Sequence, residues 1–223
     1  MISSPEAGGL ITDPRRLLLD MALQRSASDL LWLVVNRLGE SPAVAMARIW
    51  LLRPGQGCPT CPMRLECPDQ TTCLHLVASA GTSIVEPGER FSRIDGAFRR
   101  FPLGIRKVGQ IAATGEPVEA PDLANLPAWI VKPQWVQAEG IQGFGGQPLV
   151  SRGKVLGVLG VFSRAVIDGS SLDWLRMIAD HAAIALANAL SIADFGLFAT
   201  ASAEENAPVG EAGARGRRVE QLP

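Results

Sequence analysis

Apolar and polar positions change their period several times along the chain, and each change marks an element. Asp13 followed by Pro14 is a helix-start signal ahead of Leu17, Leu18, Met21 and Leu23, which predicts a short leading helix. Ser28 and Asp29 open a second, stronger pattern in which Leu30, Leu31, Leu33, Val34, Val35 and Leu38 recur at helical spacing until Gly39 ends it. The period then shortens to two. Residues 44–52, bounded by Ser41-Pro42 and Pro54-Gly55, read as a strand, with residues 73–79 as its partner. The stretch between them is rich in Cys and Pro and too kinked for a strand or a long helix.

Helical spacing returns from Leu103 through Ile105, Val108, Ile111 and Ala112, and Gly115 terminates it. Val118 to Ala120 sits between Pro117 and Pro121, which predicts an edge strand or extended segment. Residues 144–150 and 155–162 form a hairpin around Ser151-Arg152-Gly153-Lys154, with Gly153 expected at positive φ. In its second strand Val155, Leu159 and Val161 fall on one face and Leu156, Val158 and Phe162 on the other, so that strand is expected to be central and covered on both sides. Ser170 with Asp173 is a capping-box variant ahead of Leu175, Ile178, Ala182, Leu186 and Ala189, a long last helix. Sizeable aliphatics then become rare. The expected organisation is an N-terminal extension with a short helix (1–27), one folded domain (28–196) and a disordered tail (197–223).

Composition narrows the function classes. The chain has 223 residues, 47% hydrophobic and 19% charged, which suits one domain with extensions and excludes a wholly disordered protein. A formal charge of −1 offers no bulk attraction to nucleic acid or to anionic membranes, so neither is an expected partner. The densest uncharged run, from His181 to Ala193, is shorter than the roughly 18 residues a spanning helix needs. The first residues carry Glu6 and Asp13 with neither a basic start nor an apolar stretch, unlike a secretory signal. The expected compartment is a reducing cytoplasm.

The chemistry concentrates in the kinked loop. All 4 cysteines lie there, Cys58, Cys61, Cys67 and Cys73, in the spacing C-x2-C-x5-C-x5-C. A reducing setting argues against paired disulfides, so metal ligation is the leading reading. Structural zinc most often uses two C-x2-C knuckles, and only Cys58 and Cys61 make one. Proline follows three of the four cysteines, as it follows a cluster ligand in bacterial ferredoxin runs. A four-iron, four-sulfur cluster is therefore favoured and zinc is the alternative. His75, two residues beyond Cys73 on the same strand face, is a candidate to hydrogen-bond a cluster sulfur or replace a ligand, with an ordinary polar strand position as the plainer reading.

Other candidates are weaker. Residues 90–107 carry six basic residues against Asp95, and Arg106 and Lys107 are candidate contacts for an anionic ligand or partner, unless the run is simply a solvated loop. Trp129 and Trp135 sit in a Pro-rich stretch before the hairpin, where they either cover a cavity or cap the core. The two histidines, His75 and His181, have no Ser and acid pattern around them, so a hydrolase triad has no support.

Gly109-Gln110-Ile111-Ala112-Ala113-Thr114-Gly115-Glu116-Pro117-Val118, then Asp122, and Gly146-Gln147-Pro148-Leu149-Val150 leading to Val155-Leu156-Gly157-Val158-Leu159 resemble the characteristic segments of GAF domains. The resemblance covers about residues 28–193. It implies an α+β fold: a GAF-type central antiparallel sheet with flanking N- and C-terminal helices, and a ligand cavity on the opposite side. It also implies a homodimer, because the first and last helices of such domains pair between subunits. The Cys-rich loop is similar to that of GAF domains in bacterial sensor kinases and enhancer-binding transcription activators, some of which are thought to hold an iron-sulfur cluster. On this resemblance the chain is expected to be a sensor of redox state or a diatomic gas, not an enzyme; proteins of that class usually continue into a kinase or an ATPase module, so here the output is expected either from a separate kinase or transcription activator or to have been lost. The alternatives are a structural-zinc small-molecule receptor and a thiol enzyme similar to GAF proteins that reduce free methionine sulfoxide.

Overall fold

Side-chain caps start the helices. In the computed structural model, which describes residues 9–68 and 70–205 with side chains to residue 189, Asp13 Oδ1 accepts from the Arg16 amide at 2.9 Å and opens α1 (Pro14–Ala22). Ser26 Oγ accepts from the Asp29 amide at 3.1 Å and opens α2 (Ala27–Gly39). The cap is thus two residues ahead of Ser28, because Ser26 sets its hydroxyl over the third helical amide and leaves Asp29 in the first turn, where a carboxylate meets the helix dipole.

Six strands follow: β1 (Val44–Pro54), β2 (Thr72–Gly81), β3 (Arg100–Pro102), β4 (Val118–Ala120), β5 (Gly143–Ser151) and β6 (Lys154–Ser163). They form one antiparallel sheet in the order β3-β2-β1-β6-β5-β4. Between them lie α3 (Arg106–Thr114), ended by Gly115 at φ 73°, and α4 (Pro133–Ala138), and the last helix is α5 (Gly169–Glu205). β3 and α4 carry no legible sequence signal. β3 is three residues long, ends in proline and exists only because β2 offers its edge, Cys73 opposite Pro102, Leu74 opposite Phe101 and His75 opposite Arg100. α4 is six residues started by Pro133 in a stretch otherwise read as loop.

The sheet is covered on both faces. On one, α1, α2 and α5 pack Leu17, Leu30, Val34, Leu38, Leu175, Ile178 and Ala182 against Ile49, Leu159 and Val161. On the other, α3, α4 and their connecting loops pack Val108, Ile111, Val136 and Leu123 against Trp50, Leu74, Val158 and Phe144. β6 is central, as its two apolar faces require, but the faces exchange at its start. The register shifts between Leu149, opposite Gly157, and Val150, opposite Val155, so one extra residue of β6 is accommodated. Val155 consequently packs with Val158, and Leu156 with Leu159.

The start of α5 also differs from its expected cap. Asp168 Oδ1 accepts from the Ser171 amide at 2.7 Å and from the Ser170 hydroxyl at 3.0 Å, so the carboxylate upstream outcompetes Ser170. The compact body ends at Ala189 and a second unit begins at Leu190. That unit is helical to Glu205, beyond residue 197 where the sequence places the tail, and residues 206–223 of that tail lie outside the described residues. No described helix is long and apolar enough to cross a membrane.

One buried ion pair ties the far end of the sheet. Arg164, just after β6, donates to Glu139 Oε2 at 2.9 Å, to the Glu139 carbonyl at 3.0 Å, to the Thr82 carbonyl at 2.6 Å and to the Val44 carbonyl at 3.4 Å. The Glu139 side chain, 3% exposed, also accepts from the Ser83 hydroxyl and from the Ile84 amide at 3.0 Å. Burial pushes this carboxyl up, but the hydrogen bonds from Ser83, Ile84 and Arg164 outweigh it and hold it below its ordinary value of 4.5. A depressed carboxylate stabilises the fold above its unfolded value and loses that contribution as pH falls through the folded one. At neutral pH Glu139→Gln should cost about 3 kcal/mol or more by leaving Arg164 uncompensated. Urea denaturation should find that gap closing as the pH falls below 4.5.

Candidate functional site

The loop between β1 and β2 is folded by its own short turns. The Gly55 amide donates to the Thr71 carbonyl at 2.7 Å and closes the base of the loop. Gly57 at φ 62° turns the chain into a 3-10 turn, Cys58–Thr60, and the Cys61 amide returns to the Cys58 carbonyl at 3.2 Å. The Arg64 amide then reaches the Cys61 carbonyl at 3.1 Å, and the Cys67 amide reaches the Arg64 carbonyl at 3.4 Å. One turn thus carries the chain from Cys58 to Cys61, and two more carry it through Arg64 to Cys67. As a result Cys58, Cys61 and Cys67 of the loop and Cys73 of β2 line one small void of about 10 Å³, together with Arg64, Gln70, Arg100 and Pro102.

Three arginines of the basic run hold the loop in place. Arg99 donates to the Thr60 carbonyl at 3.5 Å, Arg100 to the Gln56 carbonyl, and Arg106 pairs with Glu66 at 2.7 Å. From within, Met63 is buried against Trp50, Leu74, Phe101 and Val108 and plugs the loop into the core. These anchors are invisible in the sequence, where the arginines read as a charge run.

The thiols are all free, and Cys58 Sγ donates to the Gln70 carbonyl at 3.6 Å. Burial pushes the Cys73 thiol up, and the adjacent Arg100 guanidinium partly opposes that shift. Four soft sulfur donors beside a guanidinium suit a thiolate-bound metal, whose ligand set carries net negative charge. Among the described residues no three His, Cys, Asp or Glu side chains stand as they are in an arrangement that holds an ion, so binding would draw the thiols together or apart. His75 does not line the void. Its Nε2 lies 3.4 Å from Arg100, which itself lines the void, and burial, followed by Arg100 and Arg53, pushes its pKa down.

A larger cavity, about 240 Å³, lies on the face of the sheet that α3 and α4 cover. Met46, Arg48 and Trp50 of β1, Phe144 of β5 and Phe162 of β6 form its floor. Trp129 and Trp135 close it, Trp135 edge-on to Phe162 at 5.6 Å and Trp129 edge-on to Phe144 at 5.8 Å. Arg106 and Lys107 line it too, with Lys107 Nζ 5.9 Å from the Trp129 ring centre. The four residues proposed as ligand contacts therefore meet at one place, and none of the cysteines does. Sequence reasoning missed Arg48, although a lone arginine in the run Ala45-Met46-Ala47-Arg48-Ile49-Trp50 is itself a signal. Burial lowers its pKa to about 10, so it remains a cation at neutral pH.

The GAF domain family profile matches residues 27–186. Among solved structures the chain is similar to the GAF domain of a phosphoenolpyruvate-protein phosphotransferase from Coxiella burnetii, with 18% identity, 81% of this chain and 94% of that one covered, and a TM-score of 0.57. It is similar to the corresponding Acinetobacter GAF domain at 19% identity, 80% and 93% coverage and a TM-score of 0.53. The free methionine-R-sulfoxide reductase of Neisseria meningitidis, in complex with its substrate, is similar at 15% identity, 80% and 89% coverage and a TM-score of 0.55. At these identities the likeness is one of fold. No curated protein sequence matches significantly.

The anchors of the loop differ in weight. Met63→Ala should cost about 2 kcal/mol or more and speed amide exchange across residues 56–71. Glu66→Gln, which breaks a half-exposed pair, should cost less than about 1 kcal/mol.

Proposed function

The chain belongs to the GAF domain family, and on that premise we propose that it is a sensory signalling module whose four-cysteine loop holds a metal centre, an iron-sulfur cluster in preference to zinc. The observation that carries this reading is the meeting of all four cysteines around one void, beside Arg100. Three turns of the loop and the start of β2 deliver four soft donors to the lining of one void, an arrangement that inert thiols do not need. When bound, such a cluster supplies a centre that responds to redox state or to a diatomic gas. Cys58, Cys61, Cys67 and Cys73 bind it, and Arg100 offsets the charge of the thiolates. Arg106 and Met63 tie the loop to α3 and to the core, so a change of loop shape reaches both.

The signal then passes to an output module of the kinase or transcription-activator kind, in the reducing cytoplasm where free thiols persist. The working unit is a homodimer formed by α2 and α5. Their buried stripes pack on their own sheet, but Leu33 and Trp32 of α2 are only partly buried, and Met177 and Ile184 of α5 are 40% and 54% exposed. Sedimentation of the whole chain at micromolar concentration should therefore give a dimer, and a monomer would remove this part of the reading.

A second reading, structural zinc, is favoured by the size of the void, which at about 10 Å³ is closer to one ion than to a cluster. Methionine sulfoxide reduction is the third. It is the weakest, because no cysteine lines the cavity in which a small substrate would be enclosed. Protein purified without oxygen should be brown and contain iron and acid-labile sulfide, and changing any one of the four cysteines to serine should remove or destabilise the metal. Colourless protein with one zinc per chain would establish the second reading, and metal-free protein that reduces free methionine sulfoxide the third.

A further inference from the structure

We propose that the aromatic cavity is a binding site for a small planar aromatic carboxylate, with Arg48 as the anchor for its carboxylate group. The proposal concerns a second ligand and does not depend on what the cysteine loop binds.

The first support is an uncompensated cation. Arg48 stands mid-strand in β1, and its one hydrogen bond among the described residues runs from Nε to Ser79 Oγ at 3.1 Å. Among the described residues no carboxylate pairs with it and no acidic side chain lines the cavity. A guanidinium withdrawn from water without a counter-charge is costly, and a bidentate carboxylate is the partner whose geometry matches the free end of its fork. The other cations at the wall already have company: Arg106 has Glu66, Lys107 stands over Trp129, and Lys132 stands 5.4 Å over Phe98. Together they make the cavity attractive to an anion and unwelcoming to a cation.

The second support is shape and surface. Trp50 spends its indole N–H on the Phe98 carbonyl at 3.0 Å, so it offers the cavity only apolar ring surface. Phe144 and Phe162, 4.9 Å apart, extend that surface, and the indoles of Trp129 and Trp135 face it. Flat rings pack edge-on or offset against such walls. An engineered cavity of about 150 Å³ takes up benzene, so 240 Å³ has room for a fused bicycle or a ring with an acid group. A nucleoside triphosphate would exceed it.

The test is calorimetric titration of the full chain with 2-naphthoate and with its neutral isostere 2-naphthamide. In the native protein the acid should bind about tenfold or more tightly than the amide, the scale of one charge-assisted pair. Arg48→Met should weaken the acid about tenfold or more while leaving the amide within about threefold, and Arg48→Lys should fall between. Titration of acid against amide reads the cavity alone, whereas iron and sulfide analysis reads the cysteine loop alone, which separates failure of this proposal from failure of the metal reading. Equal affinity for acid and amide, binding of neither at millimolar concentration, or acid binding indifferent to Arg48→Met would each overturn it. The comparison of acid with amide in the native protein decides the matter even if the variant does not fold.

Discussion

β1 is a wall shared by everything else in the molecule. Side chains on a strand alternate, so Ala47, Ile49 and Leu51 enter the helix-covered core while Met46, Arg48 and Trp50 line the cavity. The strand is paired on both edges, with β2 and with β6, and a slip of one residue would bury Arg48 among the aliphatics of α2 and α5. That prohibition locks the register, and the register sets where the ends of β1 fall. Pro54 ends the strand and releases the chain directly into the cysteine loop.

Bulges let one sheet serve both purposes. Between Ile49 and Trp50 the β2 pairing skips a residue, which lets Ser79 reach Arg48 while Cys73 and His75, earlier on β2, point with Arg100 and Pro102 of the paired edge strand. Without that extra residue the odd positions of β2 would share one face throughout, and the thiol and the hydroxyl would compete for the same side.

The two candidate sites are neighbours with a common boundary. β3 gives Arg100 and Pro102 to the thiol void and Phe101 to the cavity. Arg106 lines the cavity and grips Glu66 in the loop. Half of the basic run of residues 90–107, which in a sequence looks like a solvated patch, is spent on the loop. Arg99, Arg100 and Arg106 donate to loop carbonyls and a loop carboxylate, so they act as short-range clamps instead of a long-range field.

The sequence by itself determined the elements whose pattern is long or punctuated: α2, the β5–β6 hairpin, the edge strand β4 and the central position of β6, while the α+β fold class came through the family resemblance its segments carry. It also determined that the cysteines belong together, because their proximity is local and needs only a short loop to realise it. Tertiary structure decided what depends on contacts distant in sequence. Three residues of β3 become a strand only because β2 has a free edge. Lys107, Trp129 and Trp135 become cavity walls only once α3 and the segment before β5 fold over the same face of the sheet. Arg48 stands out in its apolar run, but its meaning comes last, once the residues around it exclude water and supply no carboxylate. Local periodicity writes secondary structure into a sequence, whereas the polarity of a site is the sum of side chains that only the completed fold brings face to face.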